Sequence, residues 1–287
     1  MLQIASLHIY PVKSCAGVSV SSWPINQYGF VHDREFLVVD QQGSFLTQRT
    51  HPKLATIQPF PEHDFLRLRA PNLPETTVPW FRSPADHLGE SKRLVSIWRD
   101  QVEADDLGEE IATWFSSHLG TNVRLVRKGS RYRRVVEEDR IPPIHRAALG
   151  IREVSFADAY PFLIISEASL DDLNRRLRQP IPMNRFRPNI VIAGELEPYA
   201  EDRWQTVEIG SLRFRHGAPC IRCIVTTTDQ ITLERAKEPL KTLATYRQNG
   251  YGGVLFGMNF FCESSIGTIR AGDPVRSIRL APNAANQ

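Results

Sequence analysis

Cysteine is scarce in this chain: Cys15, Cys220, Cys223 and Cys262 are the only four in 287 residues. Disulfide scaffolds are short and Cys-dense, so that class is excluded and a reduced, cytoplasmic protein is expected. A charge of one sign is lacking too, because the net charge of +3 is too small to point to nucleic acid as a partner. No apolar run approaches the roughly 18 residues of a membrane span. The opening MLQIASLHIYPVKSC has no basic segment ahead of an apolar core, so no secretory signal is expected. Also missing are H-E-x-x-H, a G-x-G-x-x-G after a strand, a Walker loop and G-x-S-x-G. No lysine stands in a recognisable Schiff-base context, which argues against pyridoxal-phosphate chemistry. What remains is an ordinary globular composition, 41% hydrophobic and 23% charged, with room for one large or two ordinary domains.

The first hundred residues read as strands and turns. REFLVVDQQGSFLTQR (Arg34–Arg49) sets two apolar runs around Gln42-Gly43, which predicts a hairpin. DFLRLRA (Asp64–Ala70) alternates Leu66 and Leu68 against Arg67 and Arg69, as a half-buried strand does. RLVSIWRDQVEAD (Arg93–Asp105) has the same character and turns near Arg99-Asp100, while the stretch from Pro71 to Pro84 reads as an irregular surface loop. A helix follows, with Asp106 and Glu109 at capping-box spacing, Ile111, Trp114, Phe115, His118 and Leu119 on one face, and Gly120 as its stop. On that face His118 is expected as a packed or hydrogen-bonded core residue. RLVRKGSRYRRVVEEDR (Arg124–Arg140) carries seven basic residues and then turns acidic. It reads as a solvated linker with a local anion-attracting patch.

The second half mixes types. YPFLIISEASLDDLNRRLRQP is a strand then a helix, with Ser166 as N-cap, Glu167 in the first turn, and Leu170, Leu173 and Leu177 as the buried stripe. FRPNIVIAG, QTVEIGSLRFRHG, RCIVTTTD and DPVRSIRL are all strand-like, with turns at Gly210-Ser211 and Gly272-Asp273. There is no β-α-β-α alternation. The expected fold class is therefore α+β, mainly antiparallel β barrel with some α, rather than a doubly wound sheet.

HGAPCIRCIVTTTDQ (His216–Gln230) holds Cys220-x-x-Cys223. A zinc clamp needs four ligands, and there is no second pair at short spacing. A thioredoxin-like dithiol wants its first cysteine at a helix N-terminus, whereas IVTTTD is largely β-branched and prefers a strand. Two readings then remain open: a pair of inert cysteines at a strand edge, or one thiolate presented from a loop entering a strand. In the second, Arg222, His216 and Arg215 would favour the ionised form, and a soft thiolate suits a soft or high-valent metal. Elsewhere YPVKSC, HDREFLVV and NRFRPNI supply a Lys-Ser pair, Arg34 and Arg187, residue types that hold anions.

In order, YPVKSCAG, HDREFLVVDQQGSFLTQR, SFADAYPFLIISEASLDDLN, NRFRPNIVIAG, YAEDRW, APCIRCIVTTTDQ, PLKTLATYRQ, LFGMNF and GTIRAGDPV resemble the MOSC family. These are the molybdenum cofactor sulfurase C-terminal domain proteins, here with their N-terminal β-barrel companion domain. The nearest likeness is to the amidoxime-reducing branch, mitochondrial and bacterial YcbX-like. The resemblance spans about Leu2 to Val275. It implies an N-terminal β-barrel domain over 1–128, a MOSC β-barrel domain with flanking helices over 129–281 and a tail over 282–287.

The resemblance further implies a molybdenum–pterin cofactor (Mo-molybdopterin) whose metal is bound by one protein cysteine. In the pattern C-x-R-C-x-x-T-T that ligand is the second cysteine, hence Cys223, with Cys220 a neighbour. Lys13, Ser14, Arg34, Arg187 and Arg222 would grip the pterin and its phosphate, and Asp158 would lie close to the metal, with Asp158 or a water as the candidate general acid. The implied activity is reduction of N-hydroxylated compounds such as amidoximes, hydroxamic acids, hydroxylamines and N-hydroxylated bases. Electrons would come from a separate flavoprotein reductase, ferredoxin or small haem protein, which Arg124–Arg134 would attract. A sulfur carrier or cofactor carrier using the same cysteine is the alternative. Two departures stand out. Relatives carry small hydroxyl residues after the aspartate where this chain has Ala159-Tyr160, and no Cys-rich ferredoxin-like segment is present. No iron–sulfur cluster of its own is expected, and the absence of a targeting segment suits a bacterial, cytoplasmic enzyme.

Overall fold

The computed structural model describes residues 1–80, 91–250 and 252–280. In its first half lie β1 (Gln3–Ile9), β2 (Val18–Val20), β3 (Ser22–Asn26), β4 (Gly29–Phe30), β5 (Phe36–Val39), β6 (Gln58–Pro61), β7 (Phe65–Arg69), β8 (Thr76–Pro79), β9 (Lys92–Ile97), β10 (Asp100–Asp106), α1 (Glu109–Leu119) and β11 (Arg124–Arg127). The second half contributes α2 (Pro143–Leu149), β12 (Phe162–Ser166), α3 (Glu167–Arg176), β13 (Ile190–Ala193), β14 (Trp204–Ile209), β15 (Leu212–Ile221), α4 (Leu240–Leu243), β16 (Leu255–Cys262), β17 (Gly267–Arg270) and β18 (Val275–Leu280). Strands dominate and pair mostly antiparallel, with β12–β13 parallel, as the absence of β-α-β alternation predicts.

The alternation rule reads β7 correctly. Leu66 and Leu68 are fully buried, while Arg67 and Arg69 turn outward to Glu62 and Glu75. The hairpins at Gly43 and between β9 and β10 form where expected. In α3 the Ser166 hydroxyl accepts from the Ser169 N–H, and Leu173 is buried between half-buried Leu170 and Leu177. His118 is hydrogen-bonded to the Thr56 hydroxyl at 2.9 Å, and Gly120 stops α1 with φ 75°.

Four local expectations are corrected. Residues 71–84 are not an irregular loop throughout: Thr76–Pro79 pair with β7 and Trp80 is buried, while 81–84 lie outside the described residues. The capping box does not form. Gly108, at φ 92°, caps α1 instead, because the Asp106 carboxylate is taken by Arg124, Arg93 and the Gly108 N–H. The basic stretch is a solvated linker only in part. Beyond β11 Arg131 and Arg133 are exposed, but Arg124, Arg127 and Arg134 are buried and paired with Asp106, Asp105 and Asp100 of β10. Finally, the residues after Cys223 form a 3-10 turn, Ile224–Thr227, and not a strand.

Eight strands build the main sheet in the order β18-β14-β15-β16-β12-β13-β1-β2. β1 thus joins a sheet otherwise made mostly from the second half, and its Ile4, Leu7 and Ile9 pack with Phe162, Phe214 and Phe260. A second core packs α1 on β5, β7, β8 and β11 through Phe36, Leu66, Trp114, Phe115 and Leu125. The segment between β1 and β5 runs along the seam between these cores.

Candidate functional site

Tyr10, just after β1, organises the seam. Its N–H donates to Asp33 Oδ1 at 2.7 Å and its hydroxyl donates to the Pro188 carbonyl at 2.9 Å. Burial pushes its phenol up to about 12, so it stays neutral. The guanidiniums of Arg34 and Arg187 both stand over its ring, 4.7 and 4.3 Å from the centroid. Arg34 also pairs with Asp33 and donates to Asn189 Oδ1 at 3.1 Å. Arg187 donates to the Cys15 carbonyl at 2.7 Å and meets no carboxylate within ion-pair distance among the described residues. Burial, with Arg34 nearby, lowers the Arg187 pKa. A Cβ on Gly17 would stand 2.5 Å from Tyr10 Cε1, so this position requires glycine to let the ring lie where it does.

Lys13 is buried and donates to the Phe156 carbonyl at 2.8 Å and to Asp158 Oδ1. Burial lowers its pKa, partly opposed by Asp158. At Asp158, desolvation would raise the carboxyl, but Lys13 and then Arg34 outweigh it and hold it well below the usual carboxylate range. Trp98, at the tip of the β9–β10 hairpin, donates its indole N–H to the same Oδ1 at 3.2 Å. Two residues on, the Tyr160 hydroxyl donates to the Arg140 carbonyl at 3.0 Å and its ring lies against Gly217 of β15. The Asp158 segment thereby links Lys13 to the strand that carries the cysteine pair.

Cys220 is the penultimate residue of β15, and exposed Cys223 precedes the 3-10 turn. The thiol is presented where a strand ends. β-branched Thr226 and Thr227 are held in the turn because their hydroxyls donate back to the Cys223 and Ile224 carbonyls, at 3.0 and 2.8 Å. Arg222 donates to the Phe186 carbonyl at 2.6 Å and to Cys220 Sγ at 2.8 Å, while its buried Nε lacks a partner. Arg215 and His216 do not attend Cys223: they are engaged by Glu263 and by His145 on α2. Past the turn, Gln230 and Gln48 exchange hydrogen bonds at 3.1 Å, and Gln48 Nε2 donates to the Ser14 carbonyl at 2.7 Å. The Ser14 hydroxyl engages no other described residue.

Lys13, Ser14, Arg34, Arg187 and Asp158 therefore meet at the seam, and Arg222 joins them through Phe186 next to Arg187. Tyr10, Asp33, Trp98 and Asn189 belong with them and were not singled out from sequence. Four of the eight non-glycine residues with positive φ among the described residues belong to the group: Ser14 (φ 69°), Arg34 (φ 50°), Trp98 (φ 57°) and Arg187 (φ 55°). Such residues cluster at functional sites, held by surroundings that over-determine them. Beside them opens a cleft of about 310 Å3 lined by Tyr10, Gly17, Asn184, Arg187, Gln230 and Ile231.

The donor set suits an anionic group. Four cations (Lys13, Arg34, Arg187 and Arg222) share two carboxylates, Asp33 and Asp158, and the unpartnered Arg222 Nε is one more buried donor. Among the described residues no three His, Cys, Asp or Glu side chains gather as a metal site, so a zinc clamp at Cys220 and Cys223 has no further ligands there.

Residues 1–122 match the model of the MOSC N-terminal beta barrel domain, and residues 151–276 that of the MOSC domain. Mitochondrial amidoxime-reducing component 1 of Homo sapiens is 38% identical over 289 residues, covering 95% of this chain and 82% of that protein. Mitochondrial amidoxime reducing component 2 of Rattus norvegicus is 36% identical, with the same 95% and 82% coverage. Molybdenum cofactor sulfurase of Oryza sativa subsp. japonica is 34% identical over 90% of this chain and 32% of its own length.

Proposed function

This chain belongs to the MOSC family, and from that premise we propose that it is a molybdenum-cofactor-dependent reductase of N-hydroxylated compounds. The observation that carries the proposal is the excess of buried and half-buried cations around Tyr10, beside an exposed cysteine that opens a hydrogen-bonded turn. When bound, a molybdenum–pterin cofactor supplies the redox chemistry that side chains alone lack. Cys223 is the metal's protein ligand, a soft thiolate suited to it. Lys13, Ser14, Arg34, Arg187 and Arg222 hold the phosphate and pterin as charge-assisted donors. Gln48 and Gln230 fix the turn of Cys223 against the loop of Ser14.

Asp158 takes a different part from the general acid expected above. Its carboxyl stays ionised at neutral pH, so it accepts and orients an N–H or a water, and Lys13 Nζ is the group of that pair with a proton to give. Electrons come from a separate redox protein. Within Arg124–Arg134, Arg124, Arg127 and Arg134 are turned inward onto carboxylates, so exposed Arg131 and Arg133 are the cations this stretch offers it.

The test is molybdenum per chain, and benzamidoxime reduction with a chemical electron donor, in the wild type and in Cys223→Ala. Stoichiometric metal with steady turnover, both lost in the variant, is the expected result. Metal-free wild type from a host with intact cofactor synthesis overturns the reading. The likeness to the sulfurase supports a second reading, a sulfur or cofactor carrier using the same cysteine. A carrier would bind without turning over.

A further inference from the structure

Trp98 combines three features. It is the first of the two residues that turn β9 into β10, and its backbone takes the positive φ (57°) that the first position of a tight hairpin turn adopts. Its side chain is anchored: the indole N–H is bonded to Asp158, the Arg49 guanidinium stands 4.5 Å from the ring, and Phe45 packs at 5.3 Å. Even so held, the residue remains 48% exposed. A hydrophobic ring fixed in one pose with half its surface open is a platform.

Asp158 beside it is similarly half used. Both Lys13 and Trp98 bond to Oδ1, and among the described residues nothing is bonded to Oδ2, although the carboxylate is ionised and its side chain is 70% exposed. The exposed part of the indole and the open carboxylate oxygen therefore lie side by side. A flat group with N–H donors on its edge satisfies both, stacking on the ring while its N–H reaches Oδ2. An aliphatic group of the same polarity satisfies only the second.

Resting on the reductase reading above, we propose that Trp98 determines specificity, selecting planar, N–H-bearing conjugated substrates (aryl amidoximes and N-hydroxylated bases) over aliphatic ones. The experiment compares kcat/KM for benzamidoxime and acetamidoxime in the metal-loaded wild type, Trp98→Phe and Trp98→Leu. A stacking contact corresponds to about a tenfold preference. Trp98→Leu, which keeps bulk without a π face, should lose that preference mainly through KM, whereas Trp98→Phe should keep it within about twofold. If Trp98 only buttresses Asp158, both variants lose activity equally on both substrates with the ratio unchanged, and that overturns the proposal. Calorimetric titration with benzamidine and acetamidine gives a readout independent of turnover. Tighter binding of benzamidine by the wild type and Trp98→Phe but not by Trp98→Leu supports the platform even if the reductase reading fails. Equal affinities in all three proteins refute it.

Discussion

Two sets of arginines in this chain look alike in sequence and do opposite things. Around β10 and β11, Arg124, Arg127 and Arg134 each meet a carboxylate: Asp106, Asp105 and Asp100. At the seam, Arg187 and Arg222 are spent on carbonyls and a thiol, and only Lys13 and Arg34 meet carboxylates. Balanced buried charge is a device of the fold. Unbalanced buried charge carries a desolvation cost that an incoming anion relieves. The first set should therefore fail by unfolding and the second by losing what it binds.

The largest effect expected is at the balanced set. Arg124→Ala leaves the Asp106 carboxylate with Arg93 and the Gly108 N–H, and breaking such a buried pair costs about 3 kcal/mol. Urea unfolding should show that loss, while the molybdenum content of the folded fraction stays at the wild-type level. Arg187→Ala inverts the pattern. The metal-free chain should change by less than about 1 kcal/mol, because a hydrogen bond is lost while repulsion from Arg34 is relieved. Cofactor retention through gel filtration should meanwhile fall about tenfold or more, as expected for a lost charged hydrogen bond. If Arg187→Ala unfolds the chain and keeps its cofactor, the contrast is wrong.

A smaller effect separates the two carboxylates at the seam by pH. Asp158 titrates below its ordinary range, so its contribution to stability is complete above the unfolded carboxylate value of about 4 and is lost as pH falls through its own lowered pKa. Asp158→Asn should lower the urea midpoint at pH 7, and the gap from wild type should narrow as pH drops below about 4. The smallest effect is Tyr10→Phe, which removes the bond to the Pro188 carbonyl for about 1 kcal/mol but keeps the ring under both guanidiniums. Cofactor retention should hold in this variant.

Where local rules act alone, they were readable. Alternation placed Leu66 and Leu68 inside, and Ser166 capped α3 as its side chain dictates. Where a distant partner decides, they were not. Nothing near Arg124 in sequence shows that β10 will bring Asp106 to it, and the same arginine also draws Glu109 out of its capping role. The turn after Cys223 defeats β-propensity through two threonine hydroxyls that bond backward, a competition propensity scales average away. The anion-holding residues could be named only through a resemblance carried over whole motifs. Their shared left-handed backbone leaves no trace in sequence, since Ser14, Arg34 and Arg187 hold it without glycine.

The pairing of β1 with β13 also sets a timetable. Ile4 faces Ile192 and Leu7 faces Ile190, so the first strand made by the ribosome waits until residue 192 has been exposed. Contacts so far apart in sequence close slowly. Until then β1 is an open edge, ready to pair with another nascent chain. Lys13 and Arg34 meet Asp158 and Asn189 across the same seam, so the cradle assembles only at this late closure. A fragment ending near residue 128 should emerge with its edge unpaired and aggregate, and cofactor loading should coincide with the last folding step.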